Sequence, residues 1–125
     1  MYKLNEALKR EWVATLRSGK YEQGRMFLNS HGKFCCLGVL CEIVGLPKRP
    51  WLEDNQPETF VYQGADAGWE EGCMPALDEQ KFGKDVNAAL WQQDIEINGK
   101  RTSLAQHNDN GQTFAEIADA IEEQL

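Results

Sequence analysis

One stretch constrains the fold of this chain more than any other. The run Phe34-Cys35-Cys36-Leu37-Gly38-Val39-Leu40-Cys41-Glu42-Ile43-Val44 holds one charged residue in eleven. A segment apolar on almost every side must be enclosed by the rest of the molecule. Eleven residues is long for a buried strand, so the run predicts a buried helix, with a strand as the alternative. Gly45-Leu46-Pro47 supplies the stop: a glycine, an apolar residue, then a proline that cannot continue a helix.

The flanking sequence offers elements to enclose it. Leu4, Leu8, Trp12 and Leu16 recur every fourth residue, which predicts a helix over residues 4–18 ended by Gly19. Thr113 and Glu116 form a capping box ahead of a stripe of Phe114, Ile117, Ala118, Ile121 and Leu125, which predicts a C-terminal helix. Asp94-Ile95-Glu96-Ile97 alternates as a half-buried strand. Asn98-Gly99 then predicts a tight hairpin turn, with Lys100-Arg101-Thr102 returning. Shorter pieces are weaker: a strand over residues 25–28, a turn at Asn29-Ser30-His31-Gly32, and a helix from Pro75 to Phe82. Residues 85–91 and 104–108 read as further helical turns, the second capped by Ser103. Residues 48–73 show no sustained period. They hold Trp51, Phe60, Tyr62 and Trp69 among prolines and glycines, with a strand suggested over residues 59–63. The expected fold class is α+β: three main helices packed with a small antiparallel sheet, in one compact domain over residues 1–125.

Charge narrows the partners. Residues 1–33 carry seven Lys/Arg against three Glu, net +4, and the remainder six against 17 Asp/Glu, net −11. A chain of net charge −7 is a poor non-specific nucleic-acid binder, because that affinity comes from neutralised phosphates. The basic first third can still hold one anion. No apolar run approaches a membrane span, and the first residues lack a secretory core, so a cytoplasmic location is expected. The cysteines are expected to be reduced thiols there.

The thiols, cations and turn residues bear on several chemistries. Cys35, Cys36, Cys41 and Cys73 lack paired zinc-ligand spacing, so no metal and no cofactor is expected, and core packing is the preferred reading. Gly19-Lys20 and Gly32-Lys33 are isolated pairs, not a phosphate loop. Thr113-Phe114-Ala115-Glu116-Ile117-Ala118 looks like the first helix of a helix-turn-helix, but its acidic residues would repel phosphate. Cys36 at a helix N-terminus is a candidate nucleophile, with His107 as base. The string around it resembles the Phe-Asp-Cys-Ser-Gly-Leu segment of NlpC/P60 cysteine peptidases. Cys35 and Leu37 stand where that family has Asp and Ser. For anion binding the candidates are Arg17, Lys20, Arg25 and Lys33, with Trp69, or alternatively Trp51 or Tyr62, to stack a base. Asn108 and Asp109 are candidates to fix hydroxyl or amide groups.

Three strings carry a wider resemblance. They are residues 16–21 with Gln23-Gly24-Arg25, then Phe34 to Cys41, then residues 104–109 with Gly111, Thr113-Phe114 and Ile117-Ala118. Together they resemble a set of small proteins encoded by phages and prophages. The resemblance implies a phage or mobile-element origin, action in the host cytoplasm and a counter-defence role. It favours a non-enzymatic accessory protein that binds or sequesters a small anionic ligand such as a nucleotide signal. A protein that binds and inhibits a host factor is the alternative, and a cysteine hydrolase the third reading. A homo-oligomer is a further possibility.

Overall fold

The apolar run does fold as a buried helix, and the rest of the molecule is arranged around it. The computed structural model describes residues 2–52, 55–70 and 74–125. Helix α2 (Cys36–Val44) buries every side chain from Cys36 to Cys41. It starts at Cys35, whose Sγ accepts from the Gly38 N–H at 3.4 Å. It stops at Gly45 in the left-handed region, and the Leu46 N–H returns to the Cys41 carbonyl at 3.2 Å. Gly38 faces the chain just before the helix. A Cβ there would stand 1.7 Å from the Leu28 carbonyl oxygen. That same oxygen accepts the Cys35 N–H at 3.3 Å, so only a glycine lets residue 28 lie against the helix.

Helix α1 (Glu6–Ser18) covers one side. Asn5 caps it through the Leu8 N–H, and Leu8, Trp12, Val13 and Leu16 are buried. The Trp12 indole N–H donates to the Cys36 carbonyl at 2.9 Å, which fixes α1 against α2. Helix α6 (Phe114–Gln124) packs along α1 and carries the capping box of Thr113 and Glu116. The Leu4 N–H donates to the Leu125 carbonyl at 3.0 Å, so the outer ends of α1 and α6 are joined.

The sheet is larger than the sequence predicts, and it is mixed. Its strands are β1 (Glu22–Gln23), β2 (Asn29–Ser30), β3 (Lys33–Phe34), β4 (Lys48–Trp51), β5 (Gln56–Gln63) and β6 (Trp69–Glu70). They run in the order β1-β3-β2-β5-β4, and β6 also pairs with β5. β1 lies parallel to β3, while the other pairs are antiparallel. The aromatic middle, which reads as irregular, therefore contributes half the strands. Its period is hidden because Thr59, Val61 and Tyr62 are all buried, from both faces of β5. Pro50 sits in β4, the outer strand of the path, where a missing N–H is tolerated.

Two further helices, α3 (Glu79–Phe82) and α4 (Val86–Trp91), precede the hairpin of β7 (Ile95–Ile97) and β8 (Lys100–Thr102). The hairpin turns at Asn98 and Gly99, both with positive φ, as expected. It forms a separate two-stranded sheet on α6, not part of the main one. Helix α5 (Leu104–Asp109) is capped by Ser103 and leads to α6. The fold is α+β; beside the three main helices stand α3, α4 and α5, of which α4 and α5 fall on the helical turns expected over residues 85–91 and 104–108. Two other expectations change. Residues 25–28 are not a strand, because Gly24 and the left-handed Met26 break the extended run. Pro75 opens no helix; α3 begins at Glu79, where Asp78 caps it through the Gln80 and Lys81 N–H groups.

Side-chain amides replace backbone partners at several joints. Gln124 accepts the Glu96 N–H at 2.9 Å and donates to the Glu96 carbonyl at 2.8 Å. Asn87 does the same for Leu77, at 2.8 and 3.1 Å. Gln124 serves a residue of β7, whose strand partner is β8, and Asn87 a segment that has no strand beside it.

Candidate functional site

The sequence singles out Gln23-Gly24-Arg25 and Asn108-Asp109 far apart in the chain, and the fold brings them together. Asn108, fully buried, accepts from the Cys36 backbone N–H at 3.2 Å and from Gln23 Nε2 at 3.0 Å. Its own amide donates to the Gly24 carbonyl at 2.7 Å. Gln23 also donates to the Gln112 carbonyl and accepts the Phe114 N–H. Four segments thus meet at two amides: β1, the first turn of α2, α5 and the start of α6. Gly24 is needed in this knot, since a Cβ there would stand 2.8 Å from that of Lys33. Both lone pairs of the Asn108 oxygen are used internally. The side chain expected to hold a ligand therefore holds the fold.

Asp109 has a different place. Its Oδ1 accepts the Met26 N–H at 2.7 Å and so pins a bulky residue at φ 71. Met26 is 74% exposed. Next to this loop lies a groove of about 480 Å³, running from Met26 and Phe27 over Cys35 and Leu37 to Leu90 and Trp91. Among the described residues, Asp109 is the one charged residue of its lining. Trp91 stands 47% exposed at this groove. A concave, mostly apolar site with few polar groups is the usual form of a binding site. Sequence reasoning missed Met26, Phe27 and Trp91. The available signal was two large apolar residues in a turn-rich stretch and a tryptophan at a helix end.

The expected anion-binding residues are dispersed. Arg17 pairs with Asp119 at 2.6 Å and Glu122 at 3.1 Å, and those hydrogen bonds, Glu122 first, raise its pKa further. Lys33 lies 3.8 Å from Glu22. Lys20 sits over the Tyr21 ring. Trp69, on β6, is separated from the β1–β3 edge by β5 and β2, and the Arg49 guanidinium already covers its ring at 4.5 Å. Of the alternative platforms, Tyr62 is buried with its hydroxyl bonded to Glu42 at 2.7 Å, and Trp51 packs edge-on to Phe27. Arg25 is exposed beside Gly111, and among the described residues no carboxylate pairs with it. Arg25, Asn108 and Asp109 are the expected residues that the fold gathers.

The thiols are core groups. Cys36 is fully buried, with Sγ 3.8 Å from the Leu104 carbonyl, and burial pushes its pKa well up. Burial pushes the Cys35 thiol up to about 11. His107 is also fully buried, and its Nε2 donates to the Ile95 carbonyl. A nucleophile needs a thiolate that a substrate can reach, and Cys36 offers neither. Cys73 lies outside the described residues. Among those described, no group of His, Cys, Asp and Glu is arranged to hold a metal ion. No helix there is long and apolar enough to cross a membrane.

Residues 4–125 match the family model described as Domain of unknown function (DUF8296). The chain belongs to that family. No curated protein and no solved structure matches it. The match spans the residues of the knot and of the groove alike. The buried thiols give a direct test within it. Iodoacetamide at about pH 8 should leave Cys35 and Cys36 of the folded protein unlabelled and modify both in urea, as peptide mass spectrometry would read. Labelling of Cys36 in the folded state at the urea rate would restore the nucleophile.

Proposed function

We propose that this protein is a non-enzymatic accessory protein of phage or mobile-element origin that acts in the host cytoplasm by binding and inhibiting a host protein. The observation that carries this reading is the open apolar groove rimmed by the exposed side chains of Met26 and Trp91. Large exposed apolar residues around a concave apolar surface favour a macromolecular partner. The buried Cys36 and His107 speak against catalysis.

A single substitution tests it. Trp91 is half exposed at the end of α4, so Trp91→Glu should leave the fold intact. Affinity capture from host extract should yield a stoichiometric protein with the native chain and lose it with Trp91→Glu. A partner retained by both would place the binding surface elsewhere.

Arg25 supports a second reading, in which the protein sequesters a small anionic ligand such as a nucleotide signal. Among the described residues its guanidinium has no carboxylate partner, and it stands beside Gly111, two residues past Asp109. The other cations are dispersed, so this reading ranks below the first. A nucleotide panel should leave the melting temperature unchanged. A rise of several degrees that Arg25→Ala abolishes would reverse the ranking.

A further inference from the structure

The carboxylate of Asp109, the one charged group among the described residues of the groove lining, narrows the chemistry of what fills it. We infer that the occupant is a basic amphipathic peptide segment of the partner protein, with apolar side chains seated in the groove and a cationic residue against Asp109. This inference rests on the groove being the binding surface.

Three observations carry it. The first is the unused half of a carboxylate. Asp109 Oδ1 is committed to the Met26 N–H at 2.7 Å, and among the described residues its other oxygen has no hydrogen-bond partner. A half-buried carboxylate on an apolar wall is best matched by a donor that carries charge. No cation lines the groove to supply one; Arg25 lies outside the lining, over Gly111. The second is the field of the whole chain. A net charge of −7 draws cationic segments toward the surface and repels acidic ones before contact is made.

The third is the character of the walls. Met26 and Met74 contribute thioethers, which adapt to apolar side chains of different shape. Trp91 adds an exposed indole, a surface on which a Lys or Arg can lie. Grooves with such walls take the apolar face of a helix through anchors spaced three and four residues apart. Met26 sets the rim. A bulky residue held in the left-handed region and 74% exposed contributes little to packing, and the carboxylate that would meet the cation is also what holds it there.

Synthetic peptides of about 16 residues can test this without the natural partner. One is an amphipathic Leu/Lys helix, one is the same composition scrambled, and one is the Leu/Glu counterpart. By fluorescence anisotropy the Leu/Lys helix should bind at least about tenfold tighter than the other two. Asp109→Asn, which keeps an oxygen for the Met26 N–H, should weaken that peptide by about fivefold or more and leave the melting temperature close to native. Trp91→Ala should weaken it further. Equal binding of the Leu/Lys and Leu/Glu helices, lost on Trp91→Ala, would overturn the charge inference while keeping the groove as the site. Equal binding of the scrambled and amphipathic basic peptides, unaffected by either substitution, would mean bulk charge attraction and overturn the inference. No peptide binding, together with partner capture that survives Trp91→Glu, would remove both the inference and the groove.

Discussion

Gly38→Ala is expected to destabilise the protein by roughly 3 kcal/mol or more, although alanine is the better helix former by only about 1 kcal/mol. The two effects oppose each other, and geometry decides the sign. The new methyl carbon would stand 1.7 Å from the Leu28 carbonyl oxygen and 2.6 Å from its carbon. Both are backbone atoms, so no side-chain rotation relieves the overlap. Relief requires residue 28 to move off the first turn of α2, which breaks the bond from the Cys35 N–H to the same carbonyl. It also disturbs Asn29, whose buried amide donates to the Tyr62 hydroxyl at 3.0 Å. Urea unfolding monitored by tryptophan fluorescence would read the loss as a lower midpoint at unchanged slope. A midpoint equal to or above the native one would show that the loop and helix are not apposed as described.

Asn108→Ala should destabilise the protein by about 3–5 kcal/mol, because each buried partner left unbonded costs about 1–3 kcal/mol. Three bonds disappear together. The Cys36 N–H loses its acceptor, the Gly24 carbonyl loses its donor, and Gln23 loses one of its partners. Gln23→Ala should be milder, since it leaves Asn108 bonded to Cys36 and Gly24. The two losses should not add. Calorimetry of both single variants and the pair should give a coupling of about 1–2 kcal/mol, because the residues share a bond in one network. Additive losses would mean that the two amides act independently. The Gln-Gly-Arg and Asn-Asp strings would then need a reason other than the joint between them.

The parts of the fold legible in the sequence are those with local chemistry. The capping box at Thr113, the Asn98-Gly99 turn and the all-apolar run each declare their element within a few residues. Of the main sheet only part of β5 declared itself, as the strand suggested over residues 59–63; the other strands are short and their pairings are set by distant segments. Ser30 meets Thr59, and Glu22 meets Lys33 across an intervening hairpin. β5 lost its alternation because both of its faces are covered. The site divides in the same way. Asn108, Asp109 and Arg25 stood out as polar residues in a turn-rich context. Their division of labour was invisible, since it depends on which of them the fold encloses. Asn108 is enclosed and structural, while Asp109 and Arg25 remain at the surface of the groove region. Cys36 looked reactive from its place at a helix start. The same place, covered by α1 and α5, leaves the thiol without solvent.

Several joints between segments in this molecule are made by side-chain amides: Gln23 and Asn108 at the knot, Asn87 at Leu77, Gln124 at Glu96. None of these groups gains or loses a proton between mild acid and mild base, and none has a counterion to be displaced. Ionic strength and acidity therefore have little hold on these amide joints, in contrast to the ion pairs of Arg17 and the carboxylate of Asp109. They act instead on the outer layer of carboxylates, whose attraction fades beyond about 8 Å at physiological salt. Shape and long-range reach are thus under separate control. A change of ionic strength would slow or hasten the approach of a charged molecule and leave these amide joints unaltered.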